Sequence, residues 1–370
     1  MTLHKAVEVT KKFLIGVSIG IAAILVFMLL FRLGIIIKNI ISPPKTLPPT
    51  HLFEALPAIS FPPNVINKTL TYDLNTVTGS LPKFPDRIDV FPISKTEPSL
   101  LLLDKAKDKI KKIGFVDKDE TVLPETLITE ERYSWSENTG LGRGIDFNIV
   151  TSDFVLESGF LTSTDALNAK QPPDKNIAIG KIKEFLNNLE ISTDNIDFEK
   201  TKTEFFSIKN GVLAAETNIS KAKVTRIDLQ QKNIEYSLDT GIPDLAGGYK
   251  KLKMSVPAAY PKPPLTNMTF WLASIDQPII RANFVNKNPD TKTSSTYAIK
   301  TADEAFDELK NGKAFIAVYY GTGEKVTINN VYLAYYFDDS TNNFIMPVVV
   351  FEGDNGFTAY VSAIRTEWVK

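Results

Sequence analysis

The spacing of hydrophobic and polar positions changes several times along this 370-residue chain, and each change predicts an element. The first stretch has no period. Phe13 to Phe31, "FLIGVSIGIAAILVFMLLF", runs 19 residues without a charge. At about 1.5 Å rise per residue this predicts one helical crossing of a bilayer. A cleaved signal peptide is the alternative, but its apolar core would span about 7 to 15 residues and end at a small-residue cleavage site. Here Arg32 and "LGIIIKNIIS" follow instead. The expectation is a retained transmembrane helix over 13–37 preceded by a cytoplasmic tail over 1–12. Gly16 and Gly20 are tolerated because a helix in lipid satisfies its own backbone. Lys5, Lys11 and Lys12 precede the span and Arg32, Lys38 and Lys45 follow it, a tie under the positive-inside count. The Lys11–Lys12 pair at the boundary favours an N-terminus inside and the rest of the chain outside the cytoplasm.

Residues 38–63 form a linker. From Ser42 to Pro63 it carries seven prolines, which fix φ and disfavour helix in the residue before each. Two readings stand: a stiff spacer extended by about 3.1 Å per residue, or a segment whose Leu52, Phe53 and Leu56 dock on the first folded module.

Three segments then show helical periodicity. In "LLDKAKDKIKKIGF" Leu103, Ala106, Ile110 and Ile113 share a stripe, with lysines between them. In "NIAIGKIKEFLNNLEI" Ile182, Phe185, Leu186 and Leu189 do the same after the start signal "QPPD". In "TADEAFDELKNGK" Thr301 and Glu304 have the spacing of a capping box, Ala302, Ala305, Phe306 and Leu309 form the stripe, and Gly312 supplies the stop.

Alternating runs rich in β-branched and aromatic residues follow each helix, among them "RGIDFNIVTSDFVLES", "VYLAYYF" and "NFIMPVVVFEG". The connections "GTGEK", "DDSTNN" and "GDNG" predict antiparallel pairing of the strands on either side. The fold class expected is α+β, with serial modules of one helix on a small antiparallel sheet at 64–170, 171–265 and 266–370. Pro347 demands an edge strand or a bulge.

Charge and composition narrow the chemistry. Lys plus Arg number 42 against 43 Asp plus Glu, a formal charge of -1, which offers no polybasic surface to nucleic acid. The absence of cysteine removes disulfides and thiolate chemistry. His4 lies before the anchor and His51 in the linker, so neither is expected in the folded region and histidine-based triads fall away. The carboxylate pairs Glu130–Glu131 and Asp338–Asp339 do not make a converging acid pair, because neighbours on a strand point to opposite faces; they read as solvated charges. "TGLGRG" at 139–144 lacks a phosphate-loop ending and reads as a hairpin loop. "DKDE" and "DDSTNN" lack the closing glutamate of a calcium loop. No catalytic, cofactor-binding or metal-binding residue is expected, and a small-molecule ligand is not.

Tyrosines are more informative. Alternation places Val331, Leu333, Tyr335 and Phe337 on one face of their strand, facing the Phe306 helix, and Tyr332, Ala334 and Tyr336 on the other. With Tyr320 and Tyr360 on neighbouring strands, Tyr332 and Tyr336 either pave an interaction surface or form a second hydrophobic layer under another part of the chain.

The C-terminal run, with Ala305, Phe306, Leu309 and Gly312 in its helix and then "YLAYY", "MPVVVFEG" and "FTAYVSAI", resembles the YycH and YycI accessory regulators and, more loosely, the PepSY-type helix-plus-sheet unit. That resemblance implies a bacterial, single-pass membrane protein with an extracytoplasmic domain that modulates a sensor kinase. The combined expectation is a non-enzymatic regulatory or scaffold protein held in the cell membrane, contacting a membrane or envelope protein. The alternatives are a carboxylate-dependent cell-wall hydrolase and a structural subunit of an envelope assembly.

Overall fold

A computed structural model describes residues 16–17, 20–21, 23–34 and 47–370, the last range apart from 65, 67, 95–98, 100, 117–118, 120, 138–139, 164–170, 210–211, 244–247, 274–278 and 339–342. Residues 23–34 are helical and exposed. Among the described residues no helix is long and apolar enough to cross a membrane; the tail over 1–12 and much of the expected span lie outside them. The chain divides into two units, Met1–Pro48 with Asp239–Leu252, and Pro49–Leu238 with Lys253–Lys370. Among the described residues the second holds two large sheets and three α-helices.

The architecture is α+β. The nine-stranded sheet takes β3 (Thr126–Thr129), β4 (Arg132–Ser136), β5 (Gly144–Asn148), β6 (Phe154–Glu157), β7 (Ile196–Lys209), β8 (Val212–Glu216), β9 (Val224–Gln231), β13 (Met268–Leu272) and β14 (Ile279–Phe284), in the order β3-β4-β5-β6-β14-β13-β9-β7-β8. Its pairings are antiparallel. Helices α1 (Leu102–Lys112) and α2 (Lys175–Asn188) bury Ala106, Ile110, Ala178, Ile182 and Leu186 in one core with Trp135, Phe147, Phe154, Ile227, Leu229, Met268 and Phe270. Asp174 caps α2 by accepting from Ile177 N at 2.9 Å. The lysine-rich face of α1 stays outward because ammonium groups are costly to bury.

The second sheet has eight strands. Its central path is β1 (Thr71–Leu74), β17 (Lys325–Tyr336), β18 (Phe344–Gly353), β19 (Thr358–Ser362) and β16 (Phe315–Val318). At its margins are β2 (Arg87–Pro92), β12 (Ala258–Ala259) and β15 (Ser295–Ala298). Helix α3 (Ala302–Lys310) closes one face with Ala305 and Leu309. Its capping box is formed in both directions: Glu304 N donates to Thr301 Oγ1 at 3.1 Å and Thr301 N to Glu304 Oε2 at 2.7 Å. Gly312, at φ 70°, takes the left-handed turn after the helix. Strands β10 (Ile234–Pro243) and β11 (Tyr249–Val256) form a separate two-stranded sheet.

Four expectations are corrected. The modules at 64–170 and 171–265 do not own separate sheets: strands from both, with β13 and β14 from 266–370 inserted between β6 and β9, make one. The linker, where described, does not hold the fold at a distance. Leu56 N donates to Trp368 O at 2.8 Å and Lys370 N to Leu56 O at 2.9 Å; β1 then pairs with β17 and β2 with β15 and β18. Phe53 and Leu56 dock as expected of a docking segment, but on the C-terminal sheet, and Leu52 stays exposed. The "GTGEK" connection does not close a hairpin, since β16 pairs with β19 instead of β17; β17–β18 and β18–β19 do pair antiparallel.

Pro347 lies in a central strand without a bulge beside it. Its carbonyl accepts from Ala363 N at 3.1 Å, just beyond the last β18–β19 register pair, Val348 with Ser362. The two polar groups of a strand residue face the same neighbour, so the missing N–H falls where the ladder runs out.

Candidate functional site

Among the described residues α1 and α2 lie on one face of the nine-stranded sheet; on the other, Phe160 and Leu161 of a short 3-10 turn (Phe160–Thr162) pack in one cluster with Val224, Phe206 and Trp271. The strand alternation that aims Ile227, Leu229, Phe270 and Leu272 at the helices aims Arg226, Asp228, Thr269 and Trp271 the other way. Across that second face Glu204, Arg226, Trp271 and Arg281 stand side by side on β7, β9, β13 and β14. The next row carries Lys202, Asp228, Thr269, Asn283 and Val155.

Arg226 is the centre. Its guanidinium carbon lies 5.5 Å from the Phe206 ring centroid and 5.4 Å from that of Trp271, within cation–π range of both. Nη2 reaches Glu204 Oε2 at 2.9 Å and Asp228 Oδ2 at 3.0 Å, and Nε reaches the same Asp228 oxygen at 3.2 Å. Asp228 is 1% exposed. Burial pushes its carboxyl above the ordinary range against the pull of Arg226, and its Oδ1 is buried with no hydrogen-bond partner among the described residues. Around this clamp Val155, Arg281 and Glu157 are exposed. The arrangement fixes a planar cation beside a pair of aromatic rings that also touch each other, with 5.1 Å between their centroids, a geometry suited to recognition. Arginine and tryptophan at the centre of a patch, with mixed charge around them, is the composition that anchors protein contacts.

The four tyrosines are arranged otherwise than an interaction surface requires. Tyr332, Tyr336 and Tyr360 do share one face, but Ile59, Phe61 and Leu265 lie over it. Tyr336 meets Phe61 edge-on at 5.0 Å and Tyr360 at 5.9 Å. Tyr360 Oη donates to Tyr260 O at 2.9 Å, and Tyr332 Oη donates to Glu352 Oε1 at 2.8 Å. Burial raises the Tyr332 and Tyr360 phenols. This is the second hydrophobic layer, with the linker as its cover. Tyr320 alone of the four is well exposed, at 74%.

Two further corrections concern charge and histidine. Asp338 is not solvated: it is buried and takes Lys287 Nζ at 2.9 Å, with both side chains almost out of solvent. Asp339 and most of the "DDSTNN" turn lie outside the described residues, as does part of "DKDE". His51 belongs to the folded unit, stacked on Trp368 with ring centroids 3.4 Å apart. Glu130 and Glu131 are exposed, as expected of solvated charges, and "TGLGRG" does join the antiparallel pair β4 and β5. Among the described residues no group of three or more His, Asp or Glu side chains is placed to hold a metal ion.

Arg226 and Trp271 carry a signal readable in the strand alternation, distinct from that of the tyrosines. Over 226–229 and 268–272 one set of alternate positions is apolar (Ile227, Leu229, Met268, Phe270 and Leu272) and the other holds Arg226, Asp228, Thr269 and Trp271. No family model and no curated protein matches the chain. Among solved structures it is similar to an uncharacterized protein from Eubacterium rectale ATCC 33656, at 14% identity and a TM-score of 0.36, over 81% of this chain and 90% of that one.

Proposed function

We propose that this chain is a membrane-anchored, non-enzymatic regulatory or scaffold protein, and that it works through the face of its nine-stranded sheet opposite α1 and α2. The observation that carries the contact surface is Arg226 set against the paired rings of Phe206 and Trp271, with exposed charge around them. The anchor rests on the uncharged run Phe13 to Phe31 and is supported by the exposure of the helical residues 23–34. A membrane or envelope protein is the partner class, in line with the resemblance of the C-terminal region to the YycH and YycI regulators.

The test is photo-crosslinking in native membranes from a benzoylphenylalanine at position 269, beside Trp271. A discrete adduct that disappears in Trp271→Ala, with the thermal midpoint retained, supports the reading. Labelling that is diffuse and indifferent to Trp271 overturns the contact face. Release of soluble sugar from cell-wall fragments by the purified protein moves the function to the hydrolase. Protease added to intact spheroplasts tests the orientation: digestion beyond Pro63 is expected, and full protection reverses it.

A further inference from the structure

A second concave site lies at the end of the nine-stranded sheet, away from Arg226. It is a cleft of about 300 Å³ lined among others by Asn195, Gln231, Asn233, Ile234, Asn288 and Phe337. That volume sits at the small end of ligand pockets, with room for a ring-sized group and none for a folded partner.

Its polar wall is built, not incidental. Asn195 Nδ2 donates to Asn286 Oδ1 at 2.7 Å and to Asn288 Oδ1 at 2.6 Å, and Asn286 Nδ2 donates back to Asn195 Oδ1 at 3.0 Å. Gln231 Nε2 donates to the same Asn286 oxygen at 3.1 Å and to Lys287 O at 2.8 Å. Asn286 N is held by Asp153 Oδ1 at 3.1 Å, and Gln231 N by Tyr260 Oη at 3.3 Å. Asn286 and Gln231 are 7% and 6% exposed, so this carboxamide chain is anchored inside the protein and its amide orientations are set by the network. The network uses Asn288 through its oxygen, which leaves the Asn288 NH2 to donate at the cleft. Asn233 spends its NH2 on Ser255 Oγ at 3.1 Å, which leaves its oxygen to accept. Phe337 and Ile234 are buried and supply an apolar wall.

The charge balance selects the ligand class. The lining holds Asp194, Glu235 and one cation, Lys232, whose Nζ donates to Asp194 O at 2.7 Å. Such a wall repels phosphates and other anions. Fixed amide donors and acceptors above a floor closed by the buried Phe337 and Ile234 suit a neutral molecule rich in hydroxyls. We infer that the cleft is a binding site for a neutral saccharide unit, engaged by Asn288 and Asn233 above an apolar floor. This departs from the expectation that no small-molecule ligand is bound, and it is independent of the contact face at Arg226.

The experiment is calorimetric titration of the full chain in detergent with chitotriose, maltotriose and trialanine, repeated on Asn288→Ala. Saturable binding of either saccharide, weakened at least tenfold in Asn288→Ala with an unchanged thermal midpoint, is the expected result. Equal saccharide affinity in wild type and variant overturns the site. So does binding of trialanine without saccharide, which makes the cleft a peptide site, or no heat with any probe at millimolar concentration. Saturation-transfer NMR on the wild-type protein gives a reading that needs no variant: absence of transfer to saccharide ring protons overturns the proposal as well.

Discussion

Tyr335 Oη donates to the backbone carbonyl of Asp89 at 2.7 Å, joining residues 246 positions apart. The hydroxyl of Tyr236 lies 3.1 Å from Tyr335 Oη. Tyr335 is fully buried on β17, Asp89 sits in β2, and Phe91 packs edge-on against the Tyr335 ring at 5.4 Å. One hydroxyl therefore ties the segment that follows the linker to the C-terminal sheet. Burial holds that phenol well above its ordinary pKa, so it remains a donor.

Tyr335→Phe is expected to destabilise the fold by about 1–3 kcal/mol, the cost of leaving a buried acceptor unmade. Tyr332→Phe, whose partner Glu352 is near solvent, should cost about 1 kcal/mol or less. Urea unfolding of the two variants checks the order, and a larger loss at Tyr332 would contradict the assigned burial.

The Lys287–Asp338 pair gives a sharper contrast. Lys287→Met or Asp338→Leu alone removes one partner of a buried ion pair and should cost about 3–5 kcal/mol. The double variant should recover most of that loss, since replacing a whole buried pair by apolar groups is often neutral. Additive losses in the double-mutant cycle would show that the pair does not act as a unit.

Helix α3 separates cap from core. Thr301→Ala should cost about 1 kcal/mol, and Leu309→Ala, which empties a buried site, about 2–5 kcal/mol. Phe306 is only half-buried, its ring 6.0 Å from Phe351, so Phe306→Ala should fall below the range of about 3–5 kcal/mol usual for a core phenylalanine. Denaturation midpoints with a common slope decide the ranking.

His51 predicts an acid response of the docked linker. Burial against Trp368 and Tyr297 lowers its pKa, only partly opposed by Glu367. The neutral ring is thus favoured in the folded state. The unfolded chain takes the proton first, so the contribution is present above the unfolded value of about 6.5 and is lost as pH falls from there through the folded pKa. The stability of wild type relative to His51→Phe should decline over that window, and a difference independent of pH would rule this coupling out.

Local sequence determined the element types. The stripe of α1, the Asp174 start of α2, the Thr301–Glu304 box with its Gly312 stop, and the alternation through "VYLAYYF" are set by neighbours within one or two turns or one strand. Short-range propensity, capping and side-chain period act over that distance, so these features are legible without the fold. The partner of each strand is a different matter. Any strand edge offers the same N–H and C=O groups, and the pairing chosen is the one that buries the apolar face of the final sheet. Only the tertiary structure could therefore bring β13 and β14 between β6 and β9 or lay Phe61 over Tyr336. It likewise decided that Arg226 meets Phe206 and Trp271 from two flanking strands and that Asn195, Gln231 and Asn286 meet in one carboxamide chain. Those contacts join residues that are distant in sequence, and each exists only because burial of a shared core has already fixed the backbones that carry them.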